Sequence, residues 1–205
     1  MAVVRLPDDE GLVLISPGPP DDEVQHELAR IGPVRHVVAP SLFHDTFVTE
    51  VLHAYPAASL YAPPGFEKVL QVDRPVRSLT GPMPEAWQGV FQTHLIAGMP
   101  KVNEVVFHHL PSRTLIVADM VFNLPADSSL WTRLFMKPIA PVGGVRASPI
   151  FRAAASNRAA QRQSIETILS WDFEHLIPSH GQVLLNGARQ RVAEAWGMAG
   201  EGFRA

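Results

Sequence analysis

Three short apolar runs in this chain each end close to a side chain able to bind a metal ion. Val34 to Val38 enters the turn Ala39-Pro40 ahead of His44 and Asp45, Thr114 to Ala118 runs straight into Asp119, and Phe173 to Ile177 leads through Pro178-Ser179 to His180. Runs of this kind, bounded by Gly, Pro and Ser, read as strands. In an open α/β sheet, ligand-binding groups gather beyond strand ends. Two imidazoles and two carboxylates brought together there suffice for zinc or another divalent first-row ion.

The rest of the chain alternates strand and helix and then becomes strand-rich. Ala2 to Arg5 and Leu12 to Ile15 flank Pro7, Asp8, Asp9 and Gly11, a hairpin pattern. Asp21 or Asp22 caps a helix to about Ile31, with Val24, Leu28 and Ile31 on one face, and Gly32-Pro33 ends it. Ser41 is the expected cap of a helix to about Ala54 that buries Phe43, Phe47, Val51 and Tyr55, with Val48 and Leu52 beside them. Ala58 to Ala62 reads as a strand, Pro64 to Leu70 as a short helix and Val76 to Leu79 as a strand. Strands at Phe91 to Ile96, Glu104 to His109 and Thr114 to Ala118 follow, the last two joined by the turn Pro111-Ser112-Arg113. Residues 120 to 150 are rich in Pro and Gly and read as loop, with one short helix near Ser128 to Met136. Helices at Ser156 to Trp171 and Leu184 to Trp196 flank the strand Phe173 to Ile177.

With 205 residues, 46% hydrophobic and 18% charged, the chain suits one compact domain spanning residues 1 to 205. A net charge of -3 gives no general attraction to nucleic acid or anionic membrane, and no apolar run approaches the ~18 residues of a membrane span. Asp8, Asp9 and Glu10 stand where a secretory signal would place its apolar run, so a cytoplasmic location is expected. The absence of cysteine excludes disulfides, thiolate ligands and a Cys nucleophile, and leaves metal chemistry to His, Asp and Glu. Neither a Gly-x-Ser-x-Gly elbow nor a Walker-type loop is present, and His26-Glu27-Leu28-Ala29-Arg30 lacks the second His of a zinc-protease helix.

Taken singly, each candidate ligand has a simpler explanation. Asp45 in a first helical turn gains about 0.3 to 1 kcal/mol from the helix dipole. A His at the same terminus, such as His44, can bond to backbone. Asp119 can cap a turn through its side chain, and His180 before Gly181 can be a turn residue. His108 and His109 lie on opposite faces of one strand, so at most one faces inward, and His94 is on the neighbouring run. Arg133, Lys137, Arg146, Arg152 and Arg158 lie in or just after the segment following Asp119, where they can meet an anionic substrate; a solvated surface explains them more simply.

Taken together, these residues follow a known order. An N-terminal hairpin, a strand entering a metal motif, a hairpin ending in Asp and a late strand ending in His-Gly resemble the metallo-β-lactamase superfamily. Closer likeness to an uncharacterised subfamily of that fold is carried by VVRLPDDEGLVLISP, GPVRHVVAPSLFH, YPAASLYAPPG, EVVFHHLPSRTLIVADMVFN and WDFEHLIPSHG. The resemblance implies an α/β (α+β) fold, the four-layer αββα sandwich of metallo-β-lactamase type. The superfamily motif His-x-His-x-Asp-His falls on Pro40, Leu42, His44 and Asp45, and a third His of the first metal site falls on Met99. The resemblance therefore implies a degenerate motif. The first site lacks its imidazoles, while the second keeps its ligand types at His44, Asp45, Asp119 and His180, with the Asp-His pair reversed.

The implied activity is metal-dependent hydrolysis of a small molecule, with one zinc, manganese or iron ion on His44, Asp45, Asp119 and His180. Such an ion lowers the pKa of bound water toward ~7. Asp119 is the candidate catalytic group that orients the water. Two other readings stand beside this one: a non-catalytic binding protein that keeps the fold and holds no metal, and redox chemistry at non-haem iron.

Overall fold

The computed structural model describes residues 1–126 and 142–199. Contacts divide the chain into two units, Met1–Val90 and Phe91–Ala205. The segment read as a helix near Ser128 to Met136 lies outside the described residues, as do Arg133 and Lys137.

The first unit is a five-stranded sheet in sequence order: β1 (Ala2–Arg5), β2 (Leu12–Ile15), β3 (Val34–Val38), β4 (Ser59–Ala62) and β5 (Val76–Ser78). The β1–β2 hairpin is antiparallel, as its Pro-Asp-Asp-Gly turn suggests, and the remaining pairs are parallel. Parallel neighbours need a crossover. Helices α1 (Asp22–Ile31) and α2 (Val48–Ala54) lie in the β2–β3 and β3–β4 connections. Asp21 caps α1 by accepting from Val24 N at 2.9 Å. Leu28 is buried and Val24 packs against the core, but Ile31 is exposed because it occupies the last turn, at the helix edge. One core gathers Leu12, Leu14, Leu28, Val37, Val51, Leu52, Leu60 and Phe66. Each fully buried Leu or Phe contributes about 1.5 to 3 kcal/mol.

The helix expected from Ser41 begins only at Val48. Ser41 to Phe47 form turns: Ser41 Oγ accepts from Phe43 N at 3.3 Å, and Asp45 O accepts from Val48 N at 3.1 Å. Ser41 thus caps a local turn, a conformation in which a hydroxyl competes with helix. Phe43 is accordingly exposed at 58%, whereas Val48, Val51 and Leu52 are buried and Phe47 and Tyr55 pack beside them.

The second unit holds a four-stranded sheet in the order His175–Pro178, Thr114–Val117, Val105–His109, Phe91–Leu95. The strands β6 (Phe91–Leu95), β7 (Val105–His109) and β8 (Thr114–Val117) form an antiparallel meander. A two-stranded ribbon, β9 (Phe122–Leu124) with β10 (Gly144–Arg146), stands where the sequence suggested only loop. Both its strands have three residues, too short to show an alternation pattern. The helices are α3 (Pro149–Ala153), α4 (Arg158–Leu169) and α5 (Ala188–Ala195), and β11 (His175–Pro178) pairs parallel with β8. Ile165, Ile168 and Leu169 of α4 are buried as expected, together with Trp171, Phe173, Leu176, Val192 and Trp196. Residues 184 to 187 are not helical, because Leu184 bridges Leu176 across the end of β11. Among the described residues no helix is long and apolar enough to cross a membrane.

His36 of β3 lies against Tyr61 and Trp87, with ring centroids 5.6 and 5.5 Å away. Burial, then the charges of Arg77 and Arg35, push its pKa from 6.5 down to about 4. The unfolded chain therefore takes up this proton first, so the associated stability is present above pH 6.5 and is lost as the pH falls through about 4. In urea unfolding at pH 7 and pH 4.5, His36→Phe should lose less stability on acidification than the wild type. An equal loss in both proteins would show that His36 does not carry the effect.

Candidate metal centre

The parallel pairing of β11 with β8 sets Val117 opposite Pro178. Counting that register two residues further brings Asp119 level with His180. Nε2 of His180 lies 3.4 Å from Oδ1 of Asp119, with 45% of the His180 side chain and 16% of the Asp119 side chain exposed. Two donor atoms ~2.0 to 2.1 Å from one zinc ion, separated by the tetrahedral angle, would be about 3.4 Å apart. The pair therefore fits two ligands of one ion.

Both side chains are held by their own strand ends. The His180 ring stacks on Phe122 at 4.9 Å and 11°. The His180 carbonyl accepts from Asn123 N at 3.1 Å, and Asn123 O accepts from Gln182 N at 2.9 Å. Gly181 between them has φ +105°, and a Cβ there would lie 2.2 Å from Asn123 O. Glycine is needed at this close approach.

Asp119 rests on a residue the sequence reading did not single out. Glu104 is fully buried; its two carboxylate oxygens accept from Ala118 N at 2.8 Å and Asp119 N at 3.0 Å. Burial and the Asp119 charge push the Glu104 pKa up to about 8, against the pull of the backbone N–H groups of Ala118, Asp119 and Met120. A signal was present. The β7–β8 register pairs Phe107 with Ile116, and extending it outward sets Glu104 opposite Asp119. Two acids facing each other at the end of an apolar hairpin call for an explanation.

The first unit carries His44 and Asp45 in the turn after β3. Their neighbours follow from sheet direction, because β2, β3 and β4 are parallel and their carboxyl ends share one edge. Ser16, just past β2, donates N–H to Val38 O at 2.9 Å and has φ +54°. Its hydroxyl lies 2.6 Å from His44 Nδ1. Ser16 therefore orients the His44 ring, a role the sequence reading missed. Asp45 is half-buried and lies three residues before α2, so the expected first-turn dipole contact is absent.

The positions aligned with the first site's imidazoles do other work. Pro40 is buried, and Leu42 packs against the first unit's core. Met99 is 1% exposed in the second unit's core, and its sulfur accepts from Gln161 Nε2 at 3.0 Å. Gly98 O accepts from Ser156 N at 2.8 Å and Asn157 N at 3.2 Å, anchoring this segment to the start of α4. Of the paired histidines, His108 faces inward at 3% exposure and stacks on Trp171, whereas His109 bonds Ser112 Oγ at 2.6 Å. His94 packs edge-on against the same Trp171.

Residues 1–140 match the model of a family described as a domain of unknown function, DUF4336. No curated protein matches the chain in sequence. Among solved structures, the chain is similar to the metal-soaked Flv1 flavodiiron core from Synechocystis sp. PCC6803, at 12% identity and TM-score 0.64 over 96% of this chain and 52% of that one. This chain thus spans about half the length of that match. The DIM-1 metallo-β-lactamase is 16% identical, with TM-score 0.59 over 96% of this chain and 84% of that one. TTHA1623 in a di-iron-bound form is 16% identical, with TM-score 0.55 over 90% of this chain and 88% of that one. At these identities the likeness is one of fold, and the chain has the mixed α/β metallo-β-lactamase fold.

Replacing Glu104 with Ala leaves two buried backbone N–H groups without their acceptor, at about 1 to 3 kcal/mol each. Glu104→Ala should therefore lower the urea midpoint well beyond the shift of an exposed control such as Glu27→Ala. Similar midpoints would remove Glu104 as the support of Asp119.

Proposed function

The chain belongs to the DUF4336 family, and we propose that Asp119 and His180 hold a single divalent ion for the hydrolysis of a small-molecule substrate. The observation that carries this reading is the 3.4 Å spacing of two ligand atoms on adjacent strand ends, each fixed by its own backbone. Charge supports it as well. Glu104 and Asp119 oppose each other, and a cation against Asp119 relieves that repulsion.

An ion in such a site supplies Lewis-acid polarisation of water or of a substrate carbonyl or phosphoryl oxygen at neutral pH. His180 would hold it through Nε2, the nitrogen nearest Asp119, while stacking on Phe122 keeps the ring from turning away. Within the first unit, Ser16 engages Nδ1 of His44 and so leaves Nε2 as the nitrogen His44 would offer a metal. Asp119 is the candidate catalytic carboxylate: it would hold the ion and would orient a water beside it. With Pro40, Leu42 and Met99 in place of imidazoles, one ion rather than two is expected. Zinc, manganese and iron all suit two His and carboxylates. A redox role at iron is the second reading, favoured by that donor set and by the flavodiiron and di-iron-bound proteins of the same fold.

Elemental analysis of protein purified without chelator tests both readings. About one equivalent of metal is expected, lost in Asp119→Ala and His180→Ala. Ester, thioester, lactam and phosphodiester panels then test hydrolysis, and oxygen consumption by the iron-loaded protein tests the redox reading. Metal-free wild type that shows no thermal shift with zinc, manganese or iron would leave the non-catalytic binding protein as the reading that stands.

A further inference from the structure

Three arginines and a tryptophan of the second unit line a cavity of about 340 Å³ whose lining includes neither Asp119 nor His180. That volume falls within the roughly 300 to 1,000 Å³ usual for small-molecule sites. Arg152 comes from α3, Arg158 and Arg162 from α4, and Trp196 and Met198 from the end of α5 and just beyond it. Among the described residues no carboxylate lines the space.

The charges are arranged against their surroundings. Arg158 is the first residue of α4, and the first turn of α4 contains no acid. Helix N-termini carry partial positive charge, so a cation there is unfavourable without a countercharge. Arg162 follows one turn later and is paired with Glu166 at 2.9 Å. Arg152 is held over the Trp196 ring at 5.4 Å from its centroid, which turns its guanidinium toward the same space. Among the described residues neither Arg152 nor Arg158 forms an ion pair. Two uncompensated guanidinium groups and a helix terminus thus face a cavity whose remaining lining includes Pro149, Trp196 and Met198.

A multiply charged oxyanion with an apolar portion meets both demands. Guanidinium forks match phosphoryl oxygens in geometry, and a dianion offsets two cations where a carboxylate offsets one. We propose that this cavity binds a small organic phosphate, with its phosphoryl oxygens on Arg152 and Arg158 and its apolar portion against Trp196 and Met198.

Phenyl phosphate, inorganic phosphate and benzoate serve as probes, in calorimetric titration and thermal-shift measurements at low salt on the full chain and on Arg152→Gln/Arg158→Gln. Phenyl phosphate should bind the wild type at least ten-fold more tightly than either other probe. The double variant should lose at least ten-fold of that affinity. Both replaced side chains are exposed, and the repulsion relieved by their removal offsets the lost contact of Arg152 with Trp196, so the variant should melt close to the wild-type temperature without ligand and clearly below it with saturating phenyl phosphate. Absence of binding at millimolar concentration, equal binding of benzoate or inorganic phosphate, or affinity retained in the double variant would each overturn the proposal. So would affinity retained in the double variant but lost in Asp119→Ala, which would assign the phosphate to the metal centre.

Discussion

The parallel pairing of β11 with β8 is the interaction on which the candidate centre depends. It joins segments about sixty residues apart in sequence, through hydrogen bonds such as Ser179 N to Val117 O at 2.9 Å. Loop-closure entropy opposes so distant a contact. The apolar surface of Leu115, Leu176, Trp171 and Phe173 buried beneath the pair offsets it. Because parallel strands end on the same edge, this one register brings a carboxylate and an imidazole together. An antiparallel β11 would have sent His180 to the far edge of the sheet.

The same strand end sets two acids against each other, and Glu104 responds with a pKa pushed up to about 8. Glu104 spends both oxygens on the backbone of Ala118 and Asp119 and is removed from water, a costly use of a carboxylate unless its hydrogen bonds are complete. In return the backbone carrying Asp119 has little freedom, and its carboxyl group is aimed at His180. On the other side, Gly181 lets the Asn123 backbone approach closely enough to bond the His180 carbonyl. The two candidate ligands are therefore positioned from behind by groups that contribute no donor of their own, as is usual around metal sites.

Most elements were legible because their signals are local. Asp21 before an amphipathic run, the Pro-Ser-Arg turn and the apolar strands all mark themselves in a few residues, and the structure places β1 to β8, α1 and α4 within a few residues of the expected positions. The misses have local causes too. Ser41 resembles a helix cap, but its hydroxyl closes a turn instead, so the cap position of α2 falls six residues later, at Phe47, and Phe43 is exposed. The β9–β10 ribbon is held by pairing between segments that carry no periodicity. Leu184 looked helical by composition, but the open end of β11 claimed it.

By itself, the sequence determined the chemistry available: no thiolate, no imidazole at residues 40, 42 and 99, and His or Asp beyond three strand ends. Those are statements about side-chain identity, and identity is all that donor chemistry requires. Tertiary structure decided what is adjacent. It set Asp119 against His180, placed Glu104 behind Asp119 and Ser16 against His44, and gathered Arg152, Arg158 and Arg162 around Trp196. Each of these depends on a register, a crossover or a helix packing that residues distant along the chain settle together.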